Sequence, residues 1–232
     1  MSFDGFPTGT AKFLRALKKN NDREWLKANR AAYDDDLIAP AREFVEAMGP
    51  KLRKLSKGIQ YDAKIGKSVM RMNRDTRFSK DKTPYKTHLD LWFWEGAQKG
   101  WAHSGFYFRF EPPKLMLGTG IHSFDKPMLA AYRDAVANAK RGKALERALA
   151  KVREAGANLQ APHYKKVPRG YDPEHPRAEL LKHNGLTAGL ESKAPPEMKS
   201  AAFVDWCLGR WKLLLPVHRW LLPVADDAAT RR

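Results

Sequence analysis

The chain has 232 residues, with 43 Lys and Arg against 26 Asp and Glu, a net charge of +17, and 43% hydrophobic composition. Its 7 Trp, 7 Tyr and 11 Phe are more aromatic surface than a disordered chain carries, and its 1 Cys excludes an internal disulfide framework and a four-Cys zinc site. The opening lacks a basic stretch followed by an apolar one, and no apolar run approaches the ~20 residues of a membrane span. The expectation is a soluble cytoplasmic protein with no membrane partner.

The charge is uneven. Residues 1–50 balance 8 basic against 8 acidic groups, whereas residues 51–90 hold 12 basic and 4 acidic, a local +8. A field of that kind draws phosphates and other anions and speeds their encounter.

The first third predicts helices. Thr8 or Thr10 can cap a segment with Phe13, Leu14 and Leu17 on one stripe, ending at Asn20-Asn21. Asp22 caps a second through Trp25 and Leu26 towards Tyr33, and Pro40 suits the first turn of a third bearing Phe44, Val45, Met48 and Leu52. Gly49-Pro50 is expected to break or kink that helix.

The middle changes character. Ser68–Met72, Leu89–Trp94, Ser104–Phe110 and Lys114–Gly118 read as strands. Phe106, Phe108 and Phe110 alternate with Tyr107 and Arg109, and Glu111-Pro112-Pro113-Lys114 turns that strand into the next. The aromatic density between Trp92 and Phe110, Trp101 included, favours a sheet face buried under helices. Helices resume at Pro127 and near Lys143, a loop spans 156–175, a short helix covers Ala178–His183, and a last helical stretch follows Glu197 with a kink at Pro216. The pattern predicts an α+β fold, a single domain over 1–232 with a mostly antiparallel central sheet flanked by N-terminal and C-terminal helices. Its parts are a helical 1–55, a strand-rich 60–120 and a helical 123–222.

The densest chemistry runs from Arg71 to Tyr85. Arg71, Arg74 and Arg77 recur every third residue, Lys80 and Lys82 follow, and Asp75 and Asp81 lie among them. Arginine forks grip two oxygens of a phosphate or carboxylate at once, so convergent arginines make an oxyanion clamp. The basic, aromatic loop Tyr164–Tyr171 is a second candidate: folded against the first, it would add Lys165, Lys166 and Arg169, with Lys182, to one positive cleft. Cys207 reads as a buried thiol, Gly118-Thr119-Gly120 as a turn, and Asp34-Asp35-Asp36 as a solvated helix end. None of the seven histidines has metal-ligand spacing, and no cofactor is indicated.

The pattern Arg71-x-x-Arg74-Asp75-x-Arg77-Phe78-x-x-x-Lys82-x-x-Tyr85 resembles the signature of the bacterial domain-of-unknown-function family DUF2461. The resemblance extends to Asn20-Asn21-Asp22-Arg23-Glu24-Trp25 with Arg30 and Tyr33, and to Pro168-Arg169-Gly170-Tyr171 with His175-Pro176 and Leu180-Leu181-Lys182. It implies one domain of about this length and brings no activity, cofactor or catalytic residue. Three readings stay open. The cluster holds a phosphate-bearing ligand, nucleic acid or nucleotide; or the chain is a hydrolase or transferase on a phosphorylated or carboxylated small molecule, with Asp75 or Asp81 as acid/base; or the motif is a salt-bridge staple without a ligand.

Overall fold

The computed structural model describes residues 2–96 and 103–231, so the expectation for Trp101 lies outside the described residues. The fold is α+β, as its order of elements predicts. Helices α1 (Thr8–Lys19), α2 (Arg23–Ala28), α3 (Arg30–Ala32) and α4 (Ala39–Leu55) precede strands β1 (Ile59–Gln60), β2 (Leu89–Glu95), β3 (Gly105–Glu111) and β4 (Lys114–Ile121). Helices α5 (Lys126–Ala137) and α6 (Ala139–Glu154), strand β5 (Asn158–Leu159), helix α7 (Ala178–Leu181), strand β6 (Leu186–Lys193) and helix α8 (Ala202–Ala229) complete it. The strands form one antiparallel sheet in the order β1-β2-β3-β4-β6-β5.

The chain divides into two compact units. The first comprises Met1–Phe93, Tyr107–Leu117 and Glu191–Gly209. Its core is aromatic: the Phe44 ring lies 5.5 Å from Phe108 and 5.6 Å from Phe203, and Phe6 lies 6.0 Å from Phe108. Such pairs add roughly 0.5–1.5 kcal/mol each beyond the area they bury. The stripe Phe13, Leu14 and Leu17 buries one face of α1, and Phe44, Val45, Met48 and Leu52 that of α4. Asp22 does cap α2, its carboxylate accepting from the Trp25 amide at 2.7 Å. Neither Thr8 nor Thr10 caps α1, which starts after Pro7; the Thr10 hydroxyl instead donates to the Asp36 carbonyl at 2.6 Å.

Helix α4 runs through Gly49-Pro50 instead of breaking there. A Cβ at position 49 would sit 2.3 Å from the Tyr61 ring, so glycine serves close packing. The acidic triplet lies in a π-helical stretch, Tyr33–Ile38, where Asp34 pairs with Arg30 at 2.6 Å and the Asp36 carboxylate covers Gly9.

The second unit comprises Trp94–Phe106, Gly118–Leu190 and Arg210–Arg232. Asp125 caps α5 by accepting from the Met128 amide, and Asn138 caps α6 by accepting from the Lys140 and Arg141 amides. Arg177, buried, donates to the Val136 and Ala137 carbonyls at 2.7 and 3.2 Å, neutralising the end of α5. The loop expected over 156–175 begins with β5, which pairs with β6 through Asn158–Gly189 and Leu159–Ala188. Gly118-Thr119-Gly120 is strand rather than turn. The Thr119 hydroxyl donates to the Gly105 carbonyl, and a Cβ at Gly120 (φ +122°) would lie 2.1 Å from the Leu186 carbonyl oxygen. Helix α8 contains both Pro216 and Pro223.

Candidate functional site

The site grows from the period of β3. Phe106, Phe108 and Phe110 are buried on one face of the strand, which leaves Tyr107, Arg109 and Glu111 on the other. That second face meets Asp90 of β2. The Tyr107 hydroxyl donates to Asp90 Oδ1 at 2.8 Å, and Arg109 grips both oxygens, Nε to Oδ1 at 2.8 Å and Nη2 to Oδ2 at 3.0 Å. His88 Nε2 lies 3.1 Å from Oδ2, and Lys86 Nζ 3.7 Å from it. Burial opposes ionisation of Asp90, yet the hydrogen bonds from His88 and Arg109 outweigh it and hold the carboxyl well below its ordinary range. The same burial, with the adjacent Asp90 charge, pushes the Tyr107 phenol far above its usual range, so it stays a donor.

The signature folds as a loop closed at its base. The Arg74 amide donates to the Pro84 carbonyl at 2.8 Å and the Lys86 amide to the Met72 carbonyl at 2.7 Å, with Asn73 bridged to Tyr85. The Asn21 side chain clasps that base: its amide donates to the Tyr85 carbonyl at 2.9 Å while its oxygen accepts from the Tyr85 amide at 3.0 Å. Two sequence segments 64 residues apart, the Asn-Asn-Asp opening and the arginine signature, are thereby brought to one place.

That place is a hollow of about 390 Å³. Lys18 and Asn21 reach it from the end of α1; Arg74, Asp81, Thr83 and Tyr85 come from the loop; Lys86, Thr87 and His88 lead into β2. Arg74 pairs with Asp81 at 2.5 Å and also donates to the Thr83 side chain and carbonyl. The Thr83 amide bond and then Arg74 hold the Asp81 carboxyl down at about 2. Lys18 also pairs with Glu111 at 3.3 Å, an exposed contact.

Of the residues singled out from sequence, Arg74, Asp81 and Tyr85 line the hollow. Arg71, Asp75, Arg77, Lys80 and Lys82 are not among its lining residues. Arg71 lies over Gly66, Arg77 forks onto Asp75 at 2.7 Å in a pair that is 78% and 59% exposed, and Lys82 donates to the Thr76 carbonyl. The Arg77 side chain lowers the Asp75 pKa, with its backbone amide adding to the effect. Phe78, at the loop's far end, is 95% exposed. Lys165, Lys166, Arg169 and Lys182 belong to the second unit. There the first three are exposed and Lys182 pairs with Glu179, while its carbonyl accepts from the His163 and Tyr164 amides.

Sequence reasoning missed Lys18, Lys86, His88 and the Asp90–Tyr107–Arg109 set. Only the alternation in β3 hinted at the last, because it marks Tyr107 and Arg109 as a face of their own. Elsewhere, buried Ser104 Oγ lies 2.9 Å from Nδ1 of buried His218, whose Nε2 is 3.4 Å from Glu95. Both residues are sealed in the core of the second unit, whereas Cys207 in α8, whose thiol burial pushes up, is buried in the first.

A family model described as a conserved hypothetical protein, DUF2461, matches residues 9–220. The chain belongs to this family. No curated protein and no solved structure matches the DUF2461 chain. Among its described residues, no helix is long and apolar enough to cross a membrane.

Proposed function

We propose that this DUF2461 protein binds a phosphate-bearing small molecule of nucleotide size in the hollow beside Arg74. One observation carries the reading: Lys18, Arg74 and Lys86, from separate parts of the chain, line a single concavity in which Asp81 is the one acid. A volume of about 390 Å³ falls in the range of small-ligand sites, roughly 300–1,000 Å³. Arg74 supplies directional donors, already oriented by Asp81 and Thr83, and the two lysines supply charge.

Calorimetric titration with inorganic phosphate and adenosine monophosphate tests this. Arg74→Ala is expected to weaken binding at least about tenfold, and Arg77→Ala, whose fork is held outside the hollow, to leave it unchanged. Equal affinities in both variants, or none in the wild type, would overturn the reading.

Nucleic acid is the second reading, favoured by Arg77, Lys80 and Lys82 beside the exposed ring of Phe78. A short single-stranded oligonucleotide separates the two. Backbone binding of a single strand loses affinity steeply with salt, about 0.7 log-log unit per phosphate neutralised. A single phosphate in the hollow gives a shallow dependence. If neither binds and Arg74→Ala only lowers the melting temperature, the signature is a staple.

A further inference from the structure

We infer that His88 is a general base facing the phosphate hollow, held there by Asp90, and that the chain hydrolyses phosphate esters. The inference rests on the phosphate reading above and adds chemistry to it. His88 lines the same concavity as Arg74, Lys18 and Lys86, and its Nε2 is engaged by Asp90 at 3.1 Å. A ring that donates from Nε2 carries its lone pair on Nδ1, the nitrogen able to take a proton.

Asp90 has the features of an orienting carboxylate rather than a base. It is 5% exposed, and its two oxygens meet Tyr107, both arms of Arg109 and His88. Four contacts fill the roughly four acceptor sites of a carboxylate. Arg109 already balances its charge, so the bond to His88 goes beyond neutralisation: it fixes the ring's tautomer and its angle at the wall of the hollow. A base aligned by a third group, beside cations that receive developing negative charge, is the general arrangement for attack on a phosphoryl centre. The charged groups lining the hollow with His88 are Lys18, Arg74, Lys86 and Asp81; Arg109 and Tyr107 stand behind it through Asp90.

In the step proposed, a water oxygen bonds to phosphorus while its proton passes to His88 Nδ1. The ester P–O bond breaks with its electron pair on the leaving oxygen, and the imidazolium then releases the proton to solvent. Asp75 and Asp81 are poorly suited to that proton. Both carboxyls are held below their ordinary range by hydrogen bonds, and Asp75 is outside the hollow.

The test uses the full chain with p-nitrophenyl phosphate, whose leaving phenolate needs no proton, alongside phosphate titration of the same samples. Wild type is expected to release p-nitrophenol. H88Q is expected to lose about 10²–10⁴ in rate with phosphate binding retained, and added imidazole to restore part of the activity of H88A. D90N, a positioning change, should lower kcat more than it raises KM. Phosphate binding without hydrolysis, or full activity in H88Q, would overturn the inference and leave the binding reading intact. Absence of both would remove the two together.

Discussion

Arg109→Met isolates the energetics of the buried carboxylate. The substitution keeps most of the side-chain volume and removes two charge-assisted hydrogen bonds to Asp90, at 2.8 and 3.0 Å. Breaking a buried ion pair costs about 3–5 kcal/mol because the surviving charge is left uncompensated. Here the arginine is 37% exposed, and Tyr107, His88 and Lys86 remain around the carboxylate, so about 3 kcal/mol is the expected loss. For a chain of this size that corresponds to a fall of about 6–12 °C in Tm. The pH dependence follows from the sign of the Asp90 perturbation. Its folded pKa is depressed, so in the wild type its ionisation stabilises the fold above the carboxylate's unfolded value and is lost only as pH falls through the folded one. Without Arg109, burial has less opposition and the folded pKa rises. The difference between variant and wild type should therefore be full from neutral pH down to about 4 and narrow only below it, where the variant's Asp90 takes up its proton before the wild type's does. Thermal melts followed by circular dichroism at about pH 7.5, 5, 4, 3 and 2 measure both quantities. A Tm loss below about 2 °C at neutral pH, or a gap that does not narrow below about pH 4, would refute the account.

Three further changes probe other parts of the structure. Gly120→Ala should cost on the order of 3 kcal/mol or more, because the added Cβ meets the Leu186 carbonyl at 2.1 Å from a φ of +122°; a melt within about 2 °C of wild type would contradict that contact. Asn21→Ala should cost about 1–2 kcal/mol and speed hydrogen exchange at the Tyr85 amide, which loses its acceptor; unchanged exchange there would mean the loop base holds without the clasp. Phe78→Ser should leave stability within about 0.5 kcal/mol because the ring is 95% exposed, whereas Phe108→Ala, at 0% exposure, should cost about 3–5 kcal/mol. Equal effects from the two would contradict the burial of β3.

Much of the architecture was legible in local pattern. The stripes of α1 and α4, the Asp22 cap, the alternation of β3 and its turn into β4 are each set by neighbours a few residues away, which is the range over which periodicity and capping act. Strand β6 shows the limit. Leu186, Ala188 and Leu190 alternate with Thr187 and Gly189 in the manner of a half-buried strand, but the two glycines on either side of Leu186 and Thr187 read more readily as loop. Pairing with β5 and the close approach to Gly120 make it a strand. Gly49-Pro50 erred in the opposite direction: packing against Tyr61 keeps a helix going where intrinsic propensity argues for a break.

The arginine signature separates the two kinds of information most sharply. Composition and spacing alone located a concentration of cations between 71 and 85, and with the matching opening segment they marked the family. They did not decide which cations share a cavity. Arg71 and Arg77 are as prominent in the sequence as Arg74, yet backbone pairing at the loop base turns Arg74 inward while Asp75, two residues from Arg77, holds that side chain outside. His88 and Lys86 carry no motif and become a wall of the hollow only when β3 lays Tyr107 and Arg109 against Asp90. Charge and periodicity are additive along a chain and can be read from it. Convergence depends on long-range pairing, which only the folded chain supplies.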